Sequence, residues 1–451
     1  MSQTIKVFSN LLVSNPLKYG FVRHMCLGKD LTISTSTSGP DFLLQNLKNA
    51  PSPKNVLKIV NEHYKIMNSK HIMQALRSLF DLQKYGRQLK SVIWSITDME
   101  PNEIFEPLMN KAMNNLIVHI DNINYTDMES TLSRLVYKYS RRYPYFYNEI
   151  FVDTCANYII DHNLGFKHAV YTLRKLGRIA HINKYLLDYT SKLALEDPTC
   201  IINADSSDIY SIAIATSLTD YKPIHWDNLK DLIVKKKNLA AEDRKEIIWI
   251  RFAASLCLLD IYKIDVITRA LIPEYLNALF KKGFMSDFEN YFAIWQSIKL
   301  NRPEFSDILP SKYEPENLID KLKEIADFPL ESSLQKGMGG EQYVISNLVS
   351  RKGHQIDHAV LFRKGGYPVA LGREFKFIED IEIPPENELL LILVLQPIHY
   401  TINSKTIREA ISTSIKTLEV DGYSVVTINL EVWESLSEFE KNTLSHASYK
   451  K

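Results

Sequence analysis

Arg134, Lys138, Arg141 and Arg142 stand among Tyr137, Tyr139, Tyr143 and Tyr145, mixing permanent cations with flat aromatic rings. Cations hold phosphates, and rings stack unpaired bases, so this mixture points to single-stranded nucleic acid. Lys84, Arg87 and Lys90 form a second basic group, and Arg174, Lys175 and Arg178 a third. Taken singly, each residue is explained by a solvated helix face or by a tyrosine in the core. The recurrence of the groups at the ends of similar segments is what suggests a polymer ligand. The formal net charge of the 451-residue chain is only +1, so any such contact must be local.

Other constellations are thinner. His354, Asp357 and His358 are close in sequence, but strand alternation turns Asp357 and His358 to opposite faces, which argues against a shared metal. Gly337-Met-Gly-Gly340 lacks the Gly-Lys-Ser/Thr of a phosphate loop. There is no His-Arg-Asp, Asp-Phe-Gly or Val-Ala-Ile-Lys, so no kinase signature set. Cys26, Cys155, Cys200 and Cys257 are too scattered for a disulfide scaffold or a structural zinc site, and they fit a reducing compartment.

The elements that would position these residues change character along the chain. Met1 to Lys29 contains no acid but has Lys6, Lys18, Arg23 and Lys29, with Val7, Phe8, Leu11, Leu12 and Val13 as apolar residues. That is the profile of a mitochondrial transit peptide, assigned to residues 1–38, and it gives a mitochondrial, matrix location. No apolar run approaches the length of a membrane span, so no span is expected. Residues 45–300 read as helices in series, with a similar segment recurring at Met73–Leu79, Glu129–Leu135, Val170–Leu176, Tyr210–Ala213 and Phe252–Leu256. The later copies lie about forty residues apart, the period of two-helix solenoid repeats. Partner helices are expected at Phe105–Leu116, Phe146–Ile160, Ile182–Leu195, Trp226–Lys236 and Pro273–Lys282.

Residues 301–335 are richer in Pro, Asp and Glu and read as a connection, with a helix near Asn317–Ala326. Beyond it, 336–445 reads as a small α/β domain in the order β-β-β-β-α-β-α. Strands are predicted over Gln342–Val349, Ile356–Phe362, Tyr367–Leu371 and Leu389–Leu395. A helix capped by Ser404 comes next, then a strand over Tyr423–Ile428 and a short helix carrying Trp433.

Several stretches resemble the FAST kinase domain-containing family. Gly339-Gly-Glu-Gln-Tyr343-Val344 and His354-Gln-Ile-Asp357-His-Ala-Val-Leu361 resemble the segments just after its helical region. Leu393-Val-Leu-Gln-Pro397-Ile-His399-Tyr400 resembles the core of its C-terminal RAP domain. Glu419-Val-Asp-Gly422-Tyr423-Ser-Val425-Val426-Thr-Ile428 resembles the strand C-terminal to that core, and Trp433 matches the tryptophan beyond that strand. The resemblance implies a helical-repeat domain followed by a small α/β domain resembling the restriction-endonuclease-like (RAP) fold. It also implies a mitochondrial RNA-binding protein acting in processing, stability or expression of organellar transcripts, with mitochondrial RNA and other RNA-processing proteins as partners and no small-molecule substrate.

Nucleases of that fold hold a metal with an Asp and a Glu-x-Lys, chemistry that needs carboxylates for a divalent ion and a lysine to help activate water. The candidates are Asp357, Glu374 and Lys376, with Mg as cofactor under that alternative alone. This sequence departs from the pattern: positions commonly Glu and Asp in the RAP core are Leu393 and Leu395, and the usual Gly is Gln396. The expectation is therefore a non-catalytic protein without cofactor. It would bind RNA through Arg134, Lys138, Arg141, Arg142, Arg174 and Lys175, with His399, Tyr400 and Lys405 as a second contact. A metal-dependent RNA endonuclease and a helical protein scaffold are the alternatives.

Overall fold

The architecture is that of a computed structural model. It describes residues 41–441, apart from 64–65, 68–69, 72–73, 76–77, 79–104, 141–143, 242–245, 320–327, 372–374 and 438–439. The transit segment 1–38, Lys84, Arg87, Lys90, Arg141, Arg142 and Glu374 lie outside the described residues, as do most of the first copy at 73–79 and of the helix expected near 317–326.

The chain is mostly helical, with a small mixed sheet near its C-terminus. It divides into two compact units: Tyr19–Ile179 with Asn183–Leu193, and Ala180–Ile182 with Ala194–Lys451. This division differs from the one drawn from composition at 301–335.

In the first unit the helices are α1 (Phe42–Lys48), α2 (Pro53–His63), α3 (Phe105–Val118), α4 (Tyr125–Lys138), α5 (Glu149–Asp161), α6 (Phe166–Arg178) and α7 (Lys184–Glu196), whose last turn runs into the second unit. Local chemistry sets their ends. The Asn124 side chain accepts from the Asp127 N–H at 2.9 Å, and Asn148 accepts from Phe151 N–H at 2.9 Å, each meeting an orphan donor of a first turn. Met128, Leu132, Leu135 and Val136 form the buried stripe of α4; Ala169, Val170, Leu173 and Leu176 form that of α6.

In the second unit, α8 (Ser206–Thr216), α9 (Trp226–Lys235), α10 (Trp249–Leu258), α11 (Ile264–Ala270), α12 (Pro273–Lys282) and α13 (Met285–Asn301) precede α14 (Glu331–Met338). Leu132, Leu173, Ala213 and Ser255, the fourth positions of the recurring segments, are all buried on α4, α6, α8 and α10. The expected partner helices coincide with α3, α5, α7, α9 and α12. Cations tie neighbouring helices of the second unit together. Lys236 Nζ donates to Ile202 O at 2.9 Å, Lys263 Nζ to Val234 O at 3.1 Å, and Arg269 to Ala240 O. At Ile202 and Val234, which lie at helix C-termini, a cation on the carbonyl satisfies an orphan acceptor and complements the helix dipole; Arg269 instead ties down the turn at Ala240.

The sheet contains β1 (Ile345–Val349), β2 (Gln355–Arg363), β3 (Tyr367–Val369), β4 (Asn387–Leu395) and β5 (Ser424–Asn429), in the order β1-β2-β4-β5 with β3 also on β2. β4 and β5 are parallel, joined by α15 (Glu409–Val420), and the other pairs are antiparallel. α16 (Leu430–Ser435) lies directly after β5. β4 is buried on both faces, as its unbroken apolar run predicts. Leu390, Ile392 and Val394 pack with Leu334, Met338 and Trp433, while Leu389, Leu391, Leu393 and Leu395 pack with Ile378 and Leu418.

Some boundaries differ from expectation: β1 starts at Ile345 rather than Gln342, β3 ends at Val369 rather than Leu371, and the helix after β4 starts late. The helix starts at Glu409, not after Ser404, because the Ser404 hydroxyl pairs with Thr401 Oγ1 at 2.6 Å and Thr406 Oγ1 at 2.9 Å inside a narrow loop closed by the Tyr400–Ile407 bridge.

Helices α10 and α13 pack on α15, which binds the helical part of the second unit to its sheet. Buried Gln296, 2% exposed, donates to Lys352 O at 3.2 Å and accepts from Ser414 Oγ at 3.1 Å. Beside it, Gly353 has φ +87°, and a Cβ there would come within 3.0 Å of the Phe292 ring and 3.1 Å of Pro315. Gly353→Ala is expected to cost about 2–4 kcal/mol, from left-handed strain plus overpacking. Gly422→Ala has a φ of +93° but an open surround, and is expected to cost only about 1 kcal/mol. Urea unfolding of the two variants checks the difference; equal losses would show that the Phe292 contact is immaterial.

Among the described residues no helix is long and apolar enough to cross a membrane.

Candidate nucleic-acid interface

The residues proposed for RNA contact separate into those on α4 and α6, and those in the loop after β4. Helices α4 and α6 lie side by side and run parallel, since Tyr125 meets His168 at one end and Tyr137 meets Arg178 at the other. Along this seam the rings and cations interleave. The Tyr125 and His168 rings meet edge-on with centroids 4.1 Å apart. Lys175 Nζ sits 4.1 Å from the Tyr171 ring centroid, and the Arg178 guanidinium 5.3 Å from that of Tyr137. Tyr137 is 70% exposed and Tyr171 56% exposed. Tyr125 is half-buried; burial first, then the nearby Glu129 and Tyr171, push its phenol up to about 12.

Lys175 requires a correction. It is 8% exposed, and its Nζ is bound to Glu129 Oε1 at 2.7 Å, so it is a buried ion-pair partner rather than a group presented to phosphate. Burial pulls its pKa down, and Glu129 works against that. Ser133 Oγ donates to the same carboxylate oxygen at 2.7 Å. Arg134, Lys138 and Arg174 are half-buried on the same two helices. Sequence reasoning missed Tyr171, Tyr125 and His168. The signal was present in the Tyr171-to-Lys175 spacing of four on a strongly amphipathic helix, but its alignment with Tyr137 needs the tertiary pairing of α4 with α6.

The second set lies in the loop after β4. The Gln396 N–H donates to His399 Nδ1 at 3.1 Å. Tyr400 packs into the core under the sheet, and burial raises its pKa. Lys405 is exposed, in the left-handed region at φ 52°, and its Nζ is 3.8 Å from Glu431. The loop is fixed by its backbone and by Asn403: Ile402 N–H donates to Ala180 O at 2.9 Å, Asn403 Oδ1 accepts from Ile182 N–H at 3.0 Å, and Asn403 Nδ2 donates to Ile182 O at 2.8 Å. Of the three proposed residues, Lys405 alone is exposed, and His399 and Tyr400 are half-buried.

Asp357 sits where β2 parts from β4. The ladder ends at the His358–Ile392 pair, and the Val394 N–H beyond it donates to Asp357 Oδ2 at 2.7 Å. The carboxylate thus replaces the next rung of the sheet. Burial pushes Asp357 up to about 6, although the Val394 N–H favours its charged form. Lys376 stands beside Phe377, Nζ 5.4 Å from the ring, where the chain bridges to Val349. Among the described residues no group of three or more His, Cys, Asp or Glu is placed to hold a metal ion. Asp357 already accepting a buried N–H, with Leu393 and Leu395 filling the core beside it, fits a strut in the sheet better than a magnesium ligand.

This assignment separates two substitutions. Asp357→Asn keeps an acceptor for Val394 and removes a buried charge, so stability at pH 7 is expected to hold or rise. Asp357→Leu orphans a buried N–H and is expected to lose about 1–3 kcal/mol. Equal losses in urea unfolding would show that the Val394 contact does not support the sheet.

His354 and His358 are buried and each pairs with a serine: Ser350 Oγ lies 2.6 Å from His354 Nδ1, and Ser346 Oγ 2.8 Å from His358 Nδ1. Ser346 in turn donates to Glu331 Oε1 at 2.9 Å. Among the described residues neither His Nε2 has a hydrogen-bond partner.

No protein-family model matches the chain, and no curated protein matches it significantly in sequence.

Proposed function

We propose that the protein binds RNA in mitochondria and acts in the processing, stability or expression of organellar transcripts, without catalysing a reaction on them. The observation that carries this reading is the α4–α6 seam, where two well-exposed tyrosines each have a cation over the ring. The exposed rings offer faces to unpaired bases, and Arg178, exposed beside Tyr137, offers a cation to phosphate. A repeat solenoid with a RAP-type domain is the architecture that goes with this reading. The acid-free, basic segment before residue 30 supports the compartment. The engagement of Asp357 by Val394 supports the absence of nuclease chemistry.

Crosslinking of the tagged protein to RNA in intact cells, followed by sequencing of the recovered RNA, tests both halves of the proposal. Enrichment of mitochondrial transcripts is expected. Recovery of no RNA above background would overturn it in favour of a protein scaffold.

A further inference from the structure

Resting on the RNA-binding reading, the geometry points to a two-point grip: we propose that the α4–α6 seam stacks one unpaired base on Tyr137 and another on Tyr171, and leaves the nucleotides between them uncontacted. Tyr171 lies level with Tyr125 and Glu129, because Lys175 bridges its ring to the Glu129 carboxylate. Tyr137 lies beside Arg178, near the other end of the seam. Positions 129 and 137 are eight residues apart on one helix, a rise of about 12 Å.

Consecutive stacked bases are separated by only about 3.4 Å along a strand. Adjacent bases of a continuous stack therefore cannot occupy both rings. A duplex cannot use them either, since its base faces are covered by their neighbours. The fitting ligand is a single strand with splayed bases and an unstacked stretch between two anchors. Charge agrees with this ligand at one of the two rings: Arg178 is exposed beside Tyr137 and can meet the phosphate of a base stacked there, whereas Lys175, bound to Glu129, only holds the Tyr171 ring in place. Two weak anchors on one strand act together only when the strand is long enough to reach both, so affinity should rise in a step with length.

The test uses the full chain and fluorescently labelled oligoadenylates of increasing length, with a blunt RNA duplex as comparison. The expected result is a step in affinity once the strand spans both rings, and weak binding of the duplex. Tyr137→Leu and Tyr171→Leu should each abolish the step and weaken long-strand binding about tenfold or more. Tyr137→Phe and Tyr171→Phe should preserve both. The rings are exposed, so the fold should tolerate these changes, and circular dichroism checks that it does. A smooth length dependence, Leu variants that bind like the parent, or equal binding of the duplex would each overturn the two-point grip while leaving RNA binding intact. No binding of any RNA would sink the RNA-binding reading itself.

Discussion

Lys175→Met should destabilise the first unit by about 3–5 kcal/mol, more than any loss expected from altering an exposed residue of the seam. Its ammonium is paired with Glu129 at 2.7 Å in a site where the lysine is almost fully enclosed. The substitution takes away the ammonium paired with a partly buried carboxylate, which also accepts from Ser133 Oγ at 2.7 Å. Adding Glu129→Gln to the same chain should recover most of the loss, because the carboxylate charge that Lys175 balances is then gone. Urea unfolding of the two single variants and the double variant measures the coupling. If Lys175→Met left stability unchanged and weakened only RNA binding, the lysine would be a phosphate contact after all.

The second large effect is acid lability of the sheet. Burial pulls His354 down to about 3, with Lys352 adding to the effect, and His358 down to about 4. Each ring is held neutral in the folded chain but takes up a proton near pH 6.5 when unfolded. Their contribution to stability is therefore complete above about pH 6.5 and is lost as pH falls toward about 4 and below. Asp357 acts in the opposite sense: its folded value of about 6 lies above the ordinary 3.8, so the stability it contributes is full below 3.8 and is lost as pH rises through about 6.

Near pH 5 these three groups leave the unfolded chain with about one extra proton, a slope of about 1.4 kcal/mol per pH unit. Asp357→Asn removes the offset and should raise the slope to about 2.7 kcal/mol per pH unit. Stability curves between pH 4.5 and 7, read against those figures, decide it. A flat profile in both proteins would mean that the two imidazoles are not held neutral by burial.

How far the sequence anticipates these features depends on the range of the interactions involved. The stripes Leu132–Leu135–Val136 and Val170–Leu173–Leu176 are local, and helices α4 and α6 arise from them. The apolar run Leu389–Leu395 likewise announces a strand buried on both faces, and the structure extends it only to Asn387. The features that escaped depend on partners far away in sequence. Lys175 reads as a surface cation until α6 is laid beside Glu129 of α4. Ser404 has the chemistry of a helix cap, but Thr401 and Thr406 claim its hydroxyl. Asp357 is a candidate metal ligand only through the resemblance; its part in the sheet appears only when the Val394 N–H, 37 residues on, is seen to donate to its carboxylate. The Pro- and acid-rich connection suggests a boundary, whereas Gln296 and Gly353 bind helix α13 to the sheet.

The most direct test of RNA binding at this helical face is to crosslink the purified full chain to single-stranded RNA with ultraviolet light and map the adducts by mass spectrometry. Adducts within Tyr125–Lys138 and Phe166–Arg178, centred on Tyr137 and Tyr171, are the predicted result. Adducts confined to other segments, or none at all, would contradict the claim that the α4–α6 seam is where RNA binds.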